Sequence, residues 1–342
     1  MKTLLRAYHS AAPSLPLALV WAALASPSLH AQLQPPAFPA GDFAPSFYVG
    51  YELLTGRTTL GPVWGPPTTS GGYLVSDEPA ALSELVVGKN TDSFATSQAR
   101  AGFDGLGVSS HAEAFGLFNL VGSGAVVRSP DGLPHYGSLA AMTWHDNLVS
   151  GPGSTTTTRQ NLRLDGAQLL SHSPLGPSVP VLETGLAIIV RVSYTLPGEA
   201  ETTIQFDGTY ARSVGTVNLF SATGLLASYG GSGNLDIFTP YFEVPVGTPF
   251  ALTWVLASAA AASTTQFEAE TSLAEMDFLH TLTFPADGPI LNLGPGLSYN
   301  APSMGIVDNH VEAVPEPGTW GALVAVAGLT AAGWLRRRSP SL

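Results

Sequence analysis

The stretch Val190-Arg191-Val192-Ser193-Tyr194-Thr195-Leu196-Pro197-Gly198, with Ile204-Gln205-Phe206-Asp207 shortly after it, decides the fold. Its apolar residues recur every second position, which puts them on one face of an extended chain and the polar ones on the other. Pro197-Gly198 ends the run, and Ile204, Phe206 and Tyr210 resume the same alternation against Gln205, Asp207 and Thr209. Two half-buried strands joined by a short connection predict an antiparallel hairpin.

Working outward, Phe250, Leu252, Trp254 and Leu256 repeat the pattern after Gly247-Thr248-Pro249, with Ala251 and Val255 apolar on the opposite face as well. A strand apolar on both faces is predicted to lie centrally in a sheet. Ala274, Met276, Phe278, Leu282 and Phe284 form one face of a further run whose other face carries Glu275, Asp277, Thr281 and Thr283. Thirty-seven glycines and twenty-eight prolines supply turns, while 45% hydrophobic residues suffice for a buried core and argue against disorder. The expectation is an all-β, antiparallel β-sandwich of jelly-roll-like type. Segments 138–142 and 272–276 also echo each other, Ser-Leu-Ala-Ala-Met against Ser-Leu-Ala-Glu-Met. They read either as chance in an Ala/Ser/Leu-rich chain or as equivalent strands of facing sheets. Gly61 to Gly72 and Gly151 to Thr158 read as loops, and Gly102-Phe103-Asp104-Gly105 as a turn.

Both ends read differently from the middle. Lys2 and Arg6 precede the eleven-residue apolar run Leu15–Ala25, and small residues follow, which predicts a signal peptide over residues 1–31. Its cut is placed after Ala31, with Ser26-Pro27-Ser28 as a competing site. At the other end Pro315, Glu316 and Pro317 precede an uncharged apolar run, Thr319 to Leu335, closed by Arg336, Arg337 and Arg338. Seventeen residues reach roughly 25 Å as a helix, just enough to span a bilayer core. Trp320 and Trp334 stand at the two interfaces, and the arginines keep the C-terminus cytoplasmic. The layout is thus a signal peptide (1–31), a Pro/Gly-rich lead-in with room for a hairpin (32–84), a sandwich ectodomain (85–312) and a tail (313–342).

Pro-Glu-Pro, one hydrophobic span and a terminal arginine cluster together resemble the PEP-CTERM sorting signal of Gram-negative bacteria that make exopolysaccharide. The resemblance covers residues 314–338. It implies export through signal peptidase, transient anchoring in the inner membrane, cleavage near Pro315–Pro317 by an exosortase-type protease, and a mature form at the cell surface or outside the cell. A structural or adhesive, non-enzymatic role is expected, with exopolysaccharide as a partner.

Charge limits the remaining classes. Between Gln32 and Pro317 there are 25 acidic residues, one lysine and seven arginines, a net charge of −17. Nucleic acid is excluded as a partner, because phosphate binding needs a basic surface. There is no nucleophile elbow, His-Glu-x-x-His, Walker loop or EF-hand loop, and without cysteine no thiolate chemistry. No catalytic, cofactor or metal residues are therefore assigned. His145-Asp146, with His111, Glu113, His172 and Ser173, offers the parts of a metal site or a Ser/His/Asp triad. Bonding of Asp146 and Asn147 to nearby backbone at a strand end is the preferred reading. Glu268 and Glu270 are the acid pair a glycan hydrolase would use, but simple solvation is the preferred reading. Carbohydrate binding ranks above hydrolysis, since Tyr229, Tyr241, Phe242 and Trp254 offer ring faces. Core packing is favoured for Trp254, and Tyr229, beside Gly230-Gly231, is the expected exposed ring.

Overall fold

The computed structural model describes residues 45–55, 72–87, 94–115, 120–123, 134–173, 182–214, 219–263 and 271–312. The signal peptide, most of the Gly61–Gly72 segment, Glu268, Glu270 and the tail from residue 313 onward lie outside them. Among the described residues no helix is long and apolar enough to cross a membrane.

The alternating segments pair as expected. β10 (Leu182–Tyr194) and β11 (Thr202–Val214) form an antiparallel hairpin in which Val190 faces Phe206 and Val192 faces Ile204. On its other edge β10 pairs with β15 (Phe250–Ser263), setting Val190 opposite Trp254. β15 in turn pairs with β7 (Pro134–Ser150), so the strand predicted to be central has a neighbour on each side. β12 (Leu219–Gly224) extends this sheet beyond β11. β1 (Ser46–Thr55) and β2 (Gly72–Ser76) extend it beyond β7, and β6 (Leu120–Ser123) and β17 (Ser298–Asn300) complete a nine-stranded sheet.

The second sheet has six strands in the order β13 (Ser232–Phe238), β9 (Asn161–Ser173), β16 (Thr271–Thr283), β5 (Gly105–Phe115), β4 (Phe94–Gly102) and β3 (Ala80–Val87). Each pairing in the two sheets is antiparallel. The fold is therefore all-β and β-sandwich-like. The turn read at Gly102–Gly105 joins β4 to β5, with those two glycines paired across it. The echoing segments lie on β7 and β16, in opposite sheets.

Two readings of the sequence differ from the structure. The segment assigned as lead-in does hold the hairpin it had room for, β1 paired with β2, but these strands and the start of β3 are parts of the two sheets, and Phe47 and Val49 join the main core. The threonine run taken as loop is β8 (Thr155–Thr158), paired with β14 (Phe242–Pro245) from far along the chain. Only the preceding Gly151–Ser154 keeps turn geometry. β-Branched residues favour an extended backbone once a partner exists, and that partner is not encoded nearby.

The core lies between the sheets. Trp144 and Trp254 meet edge to face with ring centroids 5.3 Å apart, and Phe284 stands 4.6 Å from Trp254. The centre of the nine-stranded sheet is also covered on the face turned away from its partner, where Leu139, Ala141, Ile189 and Val255 are at most 2% exposed. That explains why β15 is apolar on both faces.

Where the sheets are lined by small residues, one hydroxyl from each of three strands closes the gap. Ser110 on β5 meets Ser138 on β7 at 3.0 Å and Ser258 on β15 at 2.8 Å, and Ser138 and Ser258 are 2.9 Å apart. Ser138 also donates to the Ser109 carbonyl at 3.1 Å. All three serines are buried, so each needs its partners. Ser258→Ala leaves two buried hydroxyls under-satisfied and is expected to destabilise by about 1–3 kcal/mol. The triple alanine variant is expected to lose less than three times the single-variant effect, measured by urea unfolding.

Candidate functional site

The His/Asp constellation does not come together. β7 gains an extra residue where Asn147 faces Phe250 and Trp144 faces Leu252, so His145 and Asp146 stand in a β-bulge. Asn147, fully buried, fills that bulge: its Nδ2 donates to the carbonyls of Trp144 and Phe250, each at 2.9 Å. Its Oδ1 accepts from the Tyr299 hydroxyl at 2.5 Å. Burial of Tyr299 pushes its phenol well above the ordinary range, so it remains a donor. The Asp146 carboxylate accepts from the backbone N–H of Ser303 at 2.7 Å and from its Oγ at 2.6 Å. This pins a short 3-10 turn (Pro302–Met304) ahead of the terminal hairpin of β18 (Ile306–Val307) and β19 (His310–Val311). The acids and amides of this segment are spent on holding backbone.

His111 sits on β5 of the other sheet, on the face carrying Glu113, with Nε2 3.8 Å from that carboxylate. His172 lies on the inward face of β9, where Nδ1 and the Ser272 hydroxyl are 3.2 Å apart, and Ser173 points the opposite way, exposed. The three histidines thus occupy three separate environments. Among the described residues no group of three or more His, Asp or Glu side chains is placed to hold a metal ion.

The ring faces also sort differently from the sequence reading. Tyr229 is not exposed. It is 3% accessible, packed edge to face against Tyr210 at 4.9 Å and Phe278 at 5.7 Å. Burial, with Tyr210 and Asp165 adding to it, raises its phenol above the usual range. The Gly230-Gly231 neighbourhood suggested a surface loop, but the ring turns inward against Tyr210 of β11 and Phe278 of β16. Phe242 and Trp254 are likewise core residues. Tyr241 alone of the four is open, at 62%.

Around Tyr241 the structure assembles a site that sequence reasoning missed. The β8–β14 ladder and the β9–β13 ladder follow one another, separated by Arg159-Gln160 on one strand and Thr239-Pro240-Tyr241 on the other. The junction is fixed by Thr239 N–H to the Gln160 carbonyl at 3.0 Å and Gln160 N–H to Thr239 Oγ1 at 2.9 Å. Asn292 N–H donates to the Arg159 carbonyl at 2.9 Å, and the buried Gln160 accepts from Trp254 Nε1 at 3.2 Å. Arg159 is thereby held against the core by its backbone. Its guanidinium carbon lies 4.6 Å from the Phe238 ring centroid and 5.5 Å from that of Tyr241, both within cation–π range. Phe238 is 49% exposed. Among the described residues no carboxylate reaches the guanidinium within 4.0 Å, and its Nε is buried without a partner. The available signal was the Phe-Thr-Pro-Tyr segment at 238–241, two rings flanking a strand-ending proline in a chain with few arginines.

Comparisons of this chain with protein-family models, curated proteins and solved structures find no match.

Proposed function

We propose that this chain is an exported surface or extracellular-matrix protein, sorted through a PEP-CTERM tail and serving a non-enzymatic structural or adhesive role. The observation that carries the reading is the order Pro315-Glu316-Pro317, uncharged span, Arg336-Arg337-Arg338. In this reading signal peptidase cuts after Ala31, and residues 319–335 hold the precursor in the inner membrane as a helix with Trp320 and Trp334 at its interfaces. An exosortase-type protease then releases a jelly-roll-like body to the cell surface. An acidic, all-β body supports the proposal, because such a surface keeps an exported protein soluble and apart from nucleic acid.

Replacing Pro315 and Pro317 together by alanine in a host carrying an exosortase-type protease is expected to leave full-length precursor in the inner membrane. The parent chain is cut and recovered from the surface or culture fluid. Fractionation and intact-mass measurement read the difference, and equal release of both forms would sink the proposal.

A second reading, carbohydrate recognition by the body, is favoured by one specific observation: half-buried Arg159 lies against the exposed rings of Phe238 and Tyr241.

A further inference from the structure

We infer that Arg159, Phe238 and Tyr241 form a binding site for an acidic glycan, with Arg159 taking the carboxylate of a uronic acid residue and Tyr241 stacking on its sugar ring. This deepens the carbohydrate reading and names its ligand class.

Several features converge on this point. In a body of net charge −17, Arg159 has neither an acidic partner nor any other hydrogen-bond acceptor for its guanidinium among the described residues. By contrast, Arg100 pairs with Asp104 at 3.0 Å, and Arg191 donates to Gln205 at 2.9 Å. Arg159 is held by ring faces and not by hydrogen bonds; its Nε is buried, and its two Nη groups are the end left to bind a planar anion. Its strand and the opposing one are locked by the four backbone and side-chain bonds described above, so little ordering is lost when a ligand arrives.

The rings supply the other half of the recognition. Tyr241 at 62% and Phe238 at 49% exposure leave apolar surface beside the cation. A sugar ring offers a matching combination: an apolar face to lie on an aromatic ring, and oxygens at its rim for the arginine. Tyrosine and arginine are also the residues that carry most binding energy when they cluster. Asp236 and Glu243, exposed on the flanking strands, surround the cluster with negative charge. They disfavour densely charged polyanions, and a ligand with one carboxylate per ring spaces its charge more widely.

The test uses the full chain purified in mild detergent, so that the outcome is independent of whether the tail is cut. Migration is followed in native gels containing polygalacturonate, neutral dextran or polyglutamate at 150 mM salt. The expected result is retardation by polygalacturonate alone. Arg159→Gln and Tyr241→Ala are each expected to weaken it by about tenfold or more, the scale of one charge-assisted hydrogen bond or one anchoring ring. Arg159→Lys is expected to weaken it as well, since a point charge cannot reproduce the fork. Unchanged thermal unfolding of Tyr241→Ala confirms that the body is intact. Absence of retardation, equal retardation by dextran or polyglutamate, or variants that bind like the parent would each overturn the assignment. The sorting proposal would stand in any of these cases.

Discussion

Replacing Trp254 by alanine is expected to lower the stability of the body by about 3–5 kcal/mol, the range for removing a large buried aromatic. Trp254 has no exposed surface and joins Trp144 and Phe284 at the centre of the sandwich. Its indole N–H is also a partner of Gln160, whose Nε2 is already buried without one. Truncation therefore opens a cavity and strands a buried amide, two costs that add. Urea unfolding should show a lower midpoint with an unchanged slope. Trp254→Phe keeps much of the volume and loses the hydrogen bond, so it should recover most of the difference. If alanine costs less than about 1 kcal/mol, in the range of surface substitutions, this cluster is not the centre of the core.

The second large effect concerns a residue with no side chain. Gly107 on β5 lies against the backbone of Leu279, where β16 departs from regular pairing between Phe278 and Leu282. A methyl group at 107 would overlap the carbonyl oxygen, carbonyl carbon and Cα of Leu279, all backbone atoms that cannot rotate away. That same carbonyl accepts from Arg100 Nε, which ties the irregularity to β4. Gly107→Ala is expected to cost about 3 kcal/mol or more, at the upper end of overpacking effects. Gly198→Ala provides the comparison: its φ of 83° strains any L side chain, but no atom lies within 4 Å of the added carbon. It should cost only about 1–2 kcal/mol, the scale of a left-handed conformation. Equal melting temperatures for the two variants would show that the Leu279 backbone gives way freely.

What could be read from the sequence follows from how local the information was. Alternation around Val190 and Ile204 gave β10 and β11 because each residue's neighbours two places away report the same buried face. Double-sided apolarity around Trp254 gave the centrality of β15 for the same reason. Thr155–Thr158 and Phe242–Pro245 had to find each other across the chain, and neither alone alternates in a way that distinguishes strand from turn. The lead-in was given room for its hairpin but not a place in the sandwich, because its prolines and glycines hid the short apolar run of Phe47 and Val49.

The polar residues followed a similar division. Asp146 and Asn147 were read as backbone-bonding residues, and the bulge and the turn at Ser303 are what they bond. Tyr229 was misplaced because neighbouring glycines were taken to mean exposure, whereas here they let the chain turn and send the ring into the core. Arg159 could not be singled out, since its distinction is what it lacks, a hydrogen-bond acceptor for its guanidinium, and what faces it, two rings from a segment some eighty positions later. Cation–π geometry leaves no periodic trace.

The meeting of Ser110, Ser138 and Ser258 also bears on where such a body can work. A chain without cysteine cannot rivet its layers covalently, and here hydroxyls do the fastening instead. A joint of that kind has no oxidised and reduced forms, so it sets identically in a thiol-rich cytosol, in the periplasm and in open water, with no isomerase needed to correct it.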